Sequence, residues 1–145
     1  MYRHILIPTD GSRLSERAVK QGIELAKSLN AKVSGLTVSA PFHTFALDPM
    51  MVSDTPDTYK TDCEALAEKV LGVVTRAAAA AGVPCAVEHV IADHPYEAII
   101  DTAKNKGCDL ILMASHGRKG MSAVVLGSET VKVLTHSKTP VLVCR

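Results

Sequence analysis

Apolar residues fall into short runs and helical stripes that alternate along the chain. Residues 2–8 have a short apolar centre, Ile5-Leu6-Ile7, which Pro8-Thr9-Asp10 closes with turn chemistry, so they predict a buried first strand. Asp10-Gly11-Ser12 then offers an N-cap, and Ala18, Val19, Gly22, Ile23, Leu25, Ala26 and Leu29 recur at helical spacing up to Asn30. Residues 32–39 are β-rich and predict a second strand, after which residues 41–56 lack periodicity and read as a loop, either a lid or an insertion. Cys63, Leu66, Ala67, Val70, Leu71, Val74, Ala77, Ala78 and Ala81 form one face of a long helix that Gly82 and Pro84 end. Residues 83–91 predict a third strand. His94, Pro95 and Glu97 read as the N-cap, N1 and N3 positions of a helix through Ala103, with Gly107 at its end. Residues 109–115 are the clearest strand, residues 128–136 predict a helix, and residues 140–145 form the last strand.

Strands alternating with helices throughout predict a parallel sheet with right-handed crossovers and helices on both faces. The fold class is therefore α/β, a three-layer sandwich around a five-stranded parallel sheet. At 145 residues the chain makes one domain, residues 1–145, able to bury roughly 70% of its unfolded surface.

Composition narrows the function. With 16 Lys and Arg against 15 Asp and Glu, the net charge of +1 gives no basic face for duplex binding. Aromatic residues are 3%, too few for a single-strand stacking platform, so nucleic acid is excluded as a partner. No apolar run nears the ~20 residues that span a bilayer, and none resembles a signal peptide, so the expected location is the cytoplasm, with no membrane partner. Cys63, Cys85, Cys108 and Cys144 form no Cys-x-x-Cys pair and are expected as buried free thiols. The histidines form no His-x-x-x-His pair, so no metal site is predicted.

In an open α/β sheet, ligands bind beyond the carboxyl ends of the strands, where the strand order reverses. The first strand delivers Pro8-Thr9-Asp10 there, the second Val38-Ser39, and the fourth Met113-Ala114-Ser115-His116-Gly117. A loop with Gly117, Gly120 and Gly127-Ser128 follows, its last pair at the start of a helix. Glycines admit an anion close to backbone N–H groups, and a helix N-terminus adds free donors and partial positive charge, so the pattern suits a polyphosphate. His116, Arg118 and Lys119 offer charge complementarity in the same loop. There is neither a P-loop nor a Gly-x-Gly-x-x-Gly fingerprint, and Asp10, His116 and Ser128 lack the Gly-x-Ser-x-Gly elbow of a hydrolase triad.

The run 113–117, nine residues, then Gly127-Ser128 resembles the nucleotide signature of the universal stress protein family. Residues 5–12 and 139–143 are similar to that family's first and last strands, and the likeness covers the whole chain. It implies a Rossmann-like fold of the adenine nucleotide alpha hydrolase-like type and an ATP ligand, with any Mg²⁺ held through the phosphates. It further implies that Thr9 and Asp10, following Pro8, contact the nucleoside, that Val38 holds the adenine through its backbone, and that Met113 packs nearby. Gly117, Gly127, Ser128, Glu129 and Thr130 would flank the phosphates and ribose. The family pattern has Gly where this chain has Ala114, a departure that strains the turn if the position lies at positive φ and costs little in ordinary β space.

Residue chemistry alone leaves alternatives open. Asp10 and Ser128 each suit a helix cap as well as a ligand contact, and His116 suits a hydrogen bond within the loop. The resemblance implies a homodimer through the last strand, whose apolar edge would otherwise stand unpaired. The leading expectation is an ATP-binding sensor or adaptor in stress physiology. Slow ATP hydrolysis or autophosphorylation, with Asp10 the best general base, and a nucleotide-free interaction dimer are the competing readings.

Overall fold

The computed structural model describes residues 1–42, 55–117 and 125–145. Its elements run β1 (His4–Pro8), α1 (Arg13–Leu29), β2 (Lys32–Ser39), α2 (Pro56–Ala81), β3 (Cys85–Ile91), α3 (Pro95–Lys106), β4 (Leu110–Ala114), α4 (Ser128–His136) and β5 (Val141–Cys144). The strands form one parallel sheet in the order β3-β2-β1-β4-β5.

The two-residue period of a strand sorts the core into two layers. Ile5, Ile7, Leu110 and Leu112 face one way and pack with Ala18, Val19 and Ile23 of α1 and Val74 and Ala78 of α2. Leu6, Ile111 and Met113 face the other way and pack with Ile99 and Ala103 of α3 and Val133 of α4. Both faces of the central strands are thus covered, which explains their uninterrupted apolar runs.

Local chemistry sets the element ends. Ser12 caps α1 by accepting from Ser15 N–H, and Asn30 ends it in the left-handed region at φ 56°. The long helix begins earlier than its apolar face predicts, because Thr55 caps it and Pro56 opens it. Residues 43–54, most of the expected loop, lie outside the described residues. His94 occupies the N-cap position of α3 as expected, but its side chain makes no cap bond; the helix runs on to Lys106 before Gly107 turns it.

The cysteines are free, but the expectation that all are buried holds only for Cys108. Cys85 and Cys144 lie on β3 and β5, the two edges of the sheet, and are half-buried because no further strand covers them; Cys63 is also half-buried. Burial pushes the Cys108 thiol up to about 11.

At the amino edge of the sheet His4 is buried, with Nε2 2.8 Å from Ser34 Oγ. Asp109 accepts hydrogen bonds from the backbone N–H groups of Arg3 and His4. Burial first, then the charge of Lys32, holds the His4 imidazole below its ordinary 6.5; Asp109 pulls the other way and does not prevail. The unfolded chain therefore binds a proton that the native state refuses, and His4 favours folding above pH 6.5 and loses that contribution as pH falls below it. The thermal midpoint should drop between pH 7 and pH 5.5, and a His4→Gln variant should flatten that slope in scanning calorimetry.

Candidate functional site

Strand order places the reversal at β1, since β2 and β3 lie on one side of it and β4 and β5 on the other. Three chain segments meet beyond its carboxyl end. The first is the β1–α1 turn, where Asp10 Oδ1 accepts from Ser12 N–H at 2.9 Å. The second carboxylate oxygen, Oδ2, faces Gly117 across the reversal so closely that a Cβ on Gly117 would overlap it. Ser12, not Asp10, caps α1; one oxygen of Asp10 shapes the turn and the other faces Gly117.

Thr9 is buried at the carboxyl end of β1. Its backbone N–H donates to Leu36 C=O at 2.8 Å, which holds β1 to β2, and its hydroxyl lies 3.0 Å from Ser15 Oγ of α1. Pro8 is a buried strand residue ahead of the turn. Met113 is also buried, in the core layer with Val133, beneath the site and not on its surface.

The second segment leaves β4. Ala114 is a strand residue paired with Cys144 of β5, and Asn30 is the only non-glycine at positive φ among the described residues. The methyl group that departs from the family pattern therefore sits in ordinary β space and strains nothing. Ser115 N–H continues the ladder to Cys144 C=O at 2.8 Å, and His116 Nδ1 lies 3.2 Å from Ser115 Oγ within the loop. Arg118, Lys119 and Gly120 lie outside the described residues.

The third segment is the start of α4. Gly127, not Ser128, is its N-cap; Ser128 is the first helical residue, and no side-chain cap bond is made. A Cβ on Gly127 would stand 3.0 Å from His116 Cα, so glycine lets the helix start lie directly on the loop after β4. Gly127 N–H donates to Ser115 C=O at 2.7 Å, which fixes that approach. The first bond inside the helix is Val131 N–H to Gly127 C=O, so the amides of Ser128, Glu129 and Thr130 precede the ladder and are available to an anion. Thr130 Oγ1 donates to Ala114 C=O at 3.1 Å and is buried, so its hydroxyl anchors α4 to the tip of β4.

Glu129 turns away from the glycines. Its carboxylate accepts from Tyr96 N–H at 2.9 Å and from Lys132 Nζ at 3.1 Å. It therefore caps the neighbouring helix α3, the role that the His94 side chain leaves unfilled. Glu129→Ala should cost about 1 kcal/mol, the usual worth of an N-cap, in a chemical denaturation experiment, while ligand affinity stays at the level of the unsubstituted protein.

Val38 is half-buried at the tip of β2 and borders a 170 Å³ cavity lined by Asp10, Thr37, Val38, Ser39, Leu66, Ala67 and Val70. Of these, Thr37, Leu66, Ala67 and Val70 are not apparent as site residues in the sequence. The apolar face of α2 is legible, but not where that helix ends relative to the sheet.

A five-stranded parallel sheet with helices on both faces places the fold in the Rossmann-like α/β class. The chain belongs to the universal stress protein family, whose family model matches residues 1–145. Universal stress protein YxiE of Bacillus subtilis is 30% identical over the full length of both chains. The structure of MJ0577 from Methanocaldococcus jannaschii superposes with a TM-score of 0.83 at 27% identity, covering 99% of this chain and 95% of that one. A universal stress protein solved in complex with cAMP superposes with a TM-score of 0.70 at 25% identity, covering 99% of this chain and 97% of the other.

Proposed function

We propose that this stress-family protein binds an adenine nucleotide, ATP in the first instance, and acts as a nucleotide-dependent sensor or adaptor. The observation that carries this reading is the contact of the Asp10 carboxylate with Gly117 across the strand reversal. It puts Asp10 between two different surroundings. On the β2 side lies the cavity bordered by Val38; on the β4 side lie Gly117, Gly127 and the free amides of α4. A nucleotide has the same order of parts. Its base suits the first region, its phosphates the second, and its ribose hydroxyls the carboxylate between them. The relative solved with cAMP supports an adenine nucleotide as the ligand class.

Among the described residues no group of three or more His, Cys, Asp or Glu side chains is placed to hold a metal ion. In this reading Mg²⁺ enters as a partner of the nucleotide, held mainly by its phosphate oxygens. A sensor role requires that the nucleotide bind two conformations unequally.

The test is thermal stability with ATP, ADP and cAMP. A ligand at about 100 times its Kd stabilises the native state by about 2.7 kcal/mol, so the melting midpoint should rise measurably with at least ATP. An unchanged midpoint at millimolar concentrations of all three would contradict the proposal.

We further propose a homodimer through β5. This edge strand, Val141–Cys144, leaves Leu142 43% exposed, and Val131 and Leu134 of the adjoining α4 are 45% and 42% exposed. The backbone of Pro140 and Cys144 is turned toward β4, which leaves the alternate residues Val141 and Val143 to present free N–H and C=O groups outward. Light scattering should give twice the chain mass, and Leu142→Asp should convert it to a monomer.

A further inference from the structure

Helix α2 has 26 residues and is about 39 Å long, whereas β2, the longest strand, has eight residues and spans about 26 Å. Val74 of α2 sits over Gly35 in the middle of β2, 3.0 Å from where a Cβ would be. The helix runs opposite to the strands, so its N-terminal turns extend past the carboxyl edge of the sheet. That overhang is tied down. Tyr59 Oη donates to Ala40 C=O at 2.5 Å, just beyond the end of β2, and the Phe42 and Tyr59 rings lie 5.6 Å apart.

Leu66 lies at the root of this overhang, where α2 passes the tip of β2. It continues the i, i+4 row of Val70, Val74 and Ala78, all buried, by one more turn, yet it is 45% exposed, because it stands over the last residues of β2 and not over the middle of the sheet. Among the described residues it is the one large apolar side chain of α2 left so exposed. It lines the 170 Å³ cavity with Ala67 and Val70, facing the strand tip of Thr37, Val38 and Ser39 and reaching Asp10. A cavity of about 150 Å³ lined by aliphatic side chains accepts one benzene ring. The space is therefore on the scale of a flat heterocycle and too small for a whole nucleotide.

We infer that the overhang of α2 is the base-side wall of the nucleotide site, and that Leu66 is the residue that covers one face of the ring when it is bound. This rests on the nucleotide reading above and adds a residue outside the glycine motif. It explains an apolar side chain that is otherwise left half in water, and it makes the base, not only the phosphates, a source of affinity. Leu66 is a positioning residue for the base and takes no part in the chemistry of the phosphates.

The experiment is titration calorimetry of ATP into the unsubstituted protein, Leu66→Ser and Leu66→Met, with the melting midpoint of each ligand-free protein as the check on folding. Leu66→Ser should weaken ATP binding about tenfold, the scale of apolar surface lost from one leucine, with the ligand-free midpoint unchanged. Leu66→Met, which keeps an apolar cover, should bind within about twofold of the unsubstituted protein. ATP affinity unchanged in Leu66→Ser, or weakened equally in Leu66→Met, would overturn the assignment of Leu66 while leaving the nucleotide reading intact. Absence of ATP binding in the unsubstituted protein would instead overturn the nucleotide reading, and the assignment with it.

Discussion

Replacing Gly117 with valine should abolish nucleotide binding and leave the fold intact. The residue is exposed and lies three positions beyond Ala114, the last residue of β4, where it contributes nothing to the core. Its backbone, however, touches the Asp10 carboxylate, and the first carbon of any side chain would overlap Oδ2 and stand 3.2 Å from Cγ. The branch must push Asp10 aside or lift the loop after β4, and either movement breaks the junction of base-side cavity and phosphate cradle. A loss of at least 100-fold in affinity corresponds to about 2.7 kcal/mol, a modest demand when both a carboxylate contact and the cradle are disturbed. Circular dichroism and the ligand-free melting midpoint should match the unsubstituted protein, since surface substitutions away from core and caps usually change stability by less than about 0.5 kcal/mol. Equal ATP affinity in Gly117→Val would remove this cradle from the site.

The largest effect on stability is expected at Ile7→Ala. Ile7 is fully buried in β1, and its Cδ1 occupies the place where a Cβ on Gly22 of α1 would be, at 2.5 Å. Truncating it opens a hole between helix and sheet that nothing on the helix can fill, because Gly22 has no side chain. A cost of about 3–4 kcal/mol is expected, within the range for large-to-small changes in a core. That is a large share of the 5–15 kcal/mol typical of a domain. Adding Gly22→Ala should restore about 1 kcal/mol or more, since the new methyl enters the vacated space and alanine favours a helix by about that amount over glycine. The same Gly22→Ala change in the unsubstituted protein meets Ile7, so its effect there should be less favourable. Urea denaturation of the four proteins gives the coupling directly, and purely additive values would contradict the proposed contact.

The fold was largely legible because burial on both faces of a parallel sheet leaves continuous apolar runs. Ile5-Leu6-Ile7 and the run from Leu110 to Ala114 are the two strands flanking the reversal, and each reads unambiguously. Edge strand β3 is less clear, since residues such as Val87 and Ile91 remain exposed and its boundary drifts toward Val83. The cap residues were partly legible. Ser12 follows the rule for its type, whereas α4 is capped by Gly127 and Ser128 falls one position inside, because a close approach to His116 decides the matter there.

Short-range spacing reads the placement of Asp10 after β1 and Gly117 after β4, which the structure brings together. The site was not legible where a role depends on what a side chain meets across the fold. The Glu129 carboxylate reaches Tyr96 N–H, 33 positions away, which no local pattern signals. The pairing of the Thr9 hydroxyl with Ser15 of α1 is likewise not written in the spacing. Leu66 looks like one more core position on α2, because the sequence records the helical row and not the length of sheet available to cover it.

The most direct test of the central claim is to denature the freshly purified protein and chromatograph the released small molecules, then titrate the stripped protein with MgATP. With no Trp and three Tyr, the protein absorbs weakly near 280 nm, so a bound adenine is readily seen beforehand in the absorbance spectrum. The expected result is released adenine nucleotide or, from stripped protein, saturable binding of one MgATP per chain. A clean protein spectrum together with no response to millimolar MgATP would contradict it and leave an interaction dimer in its place.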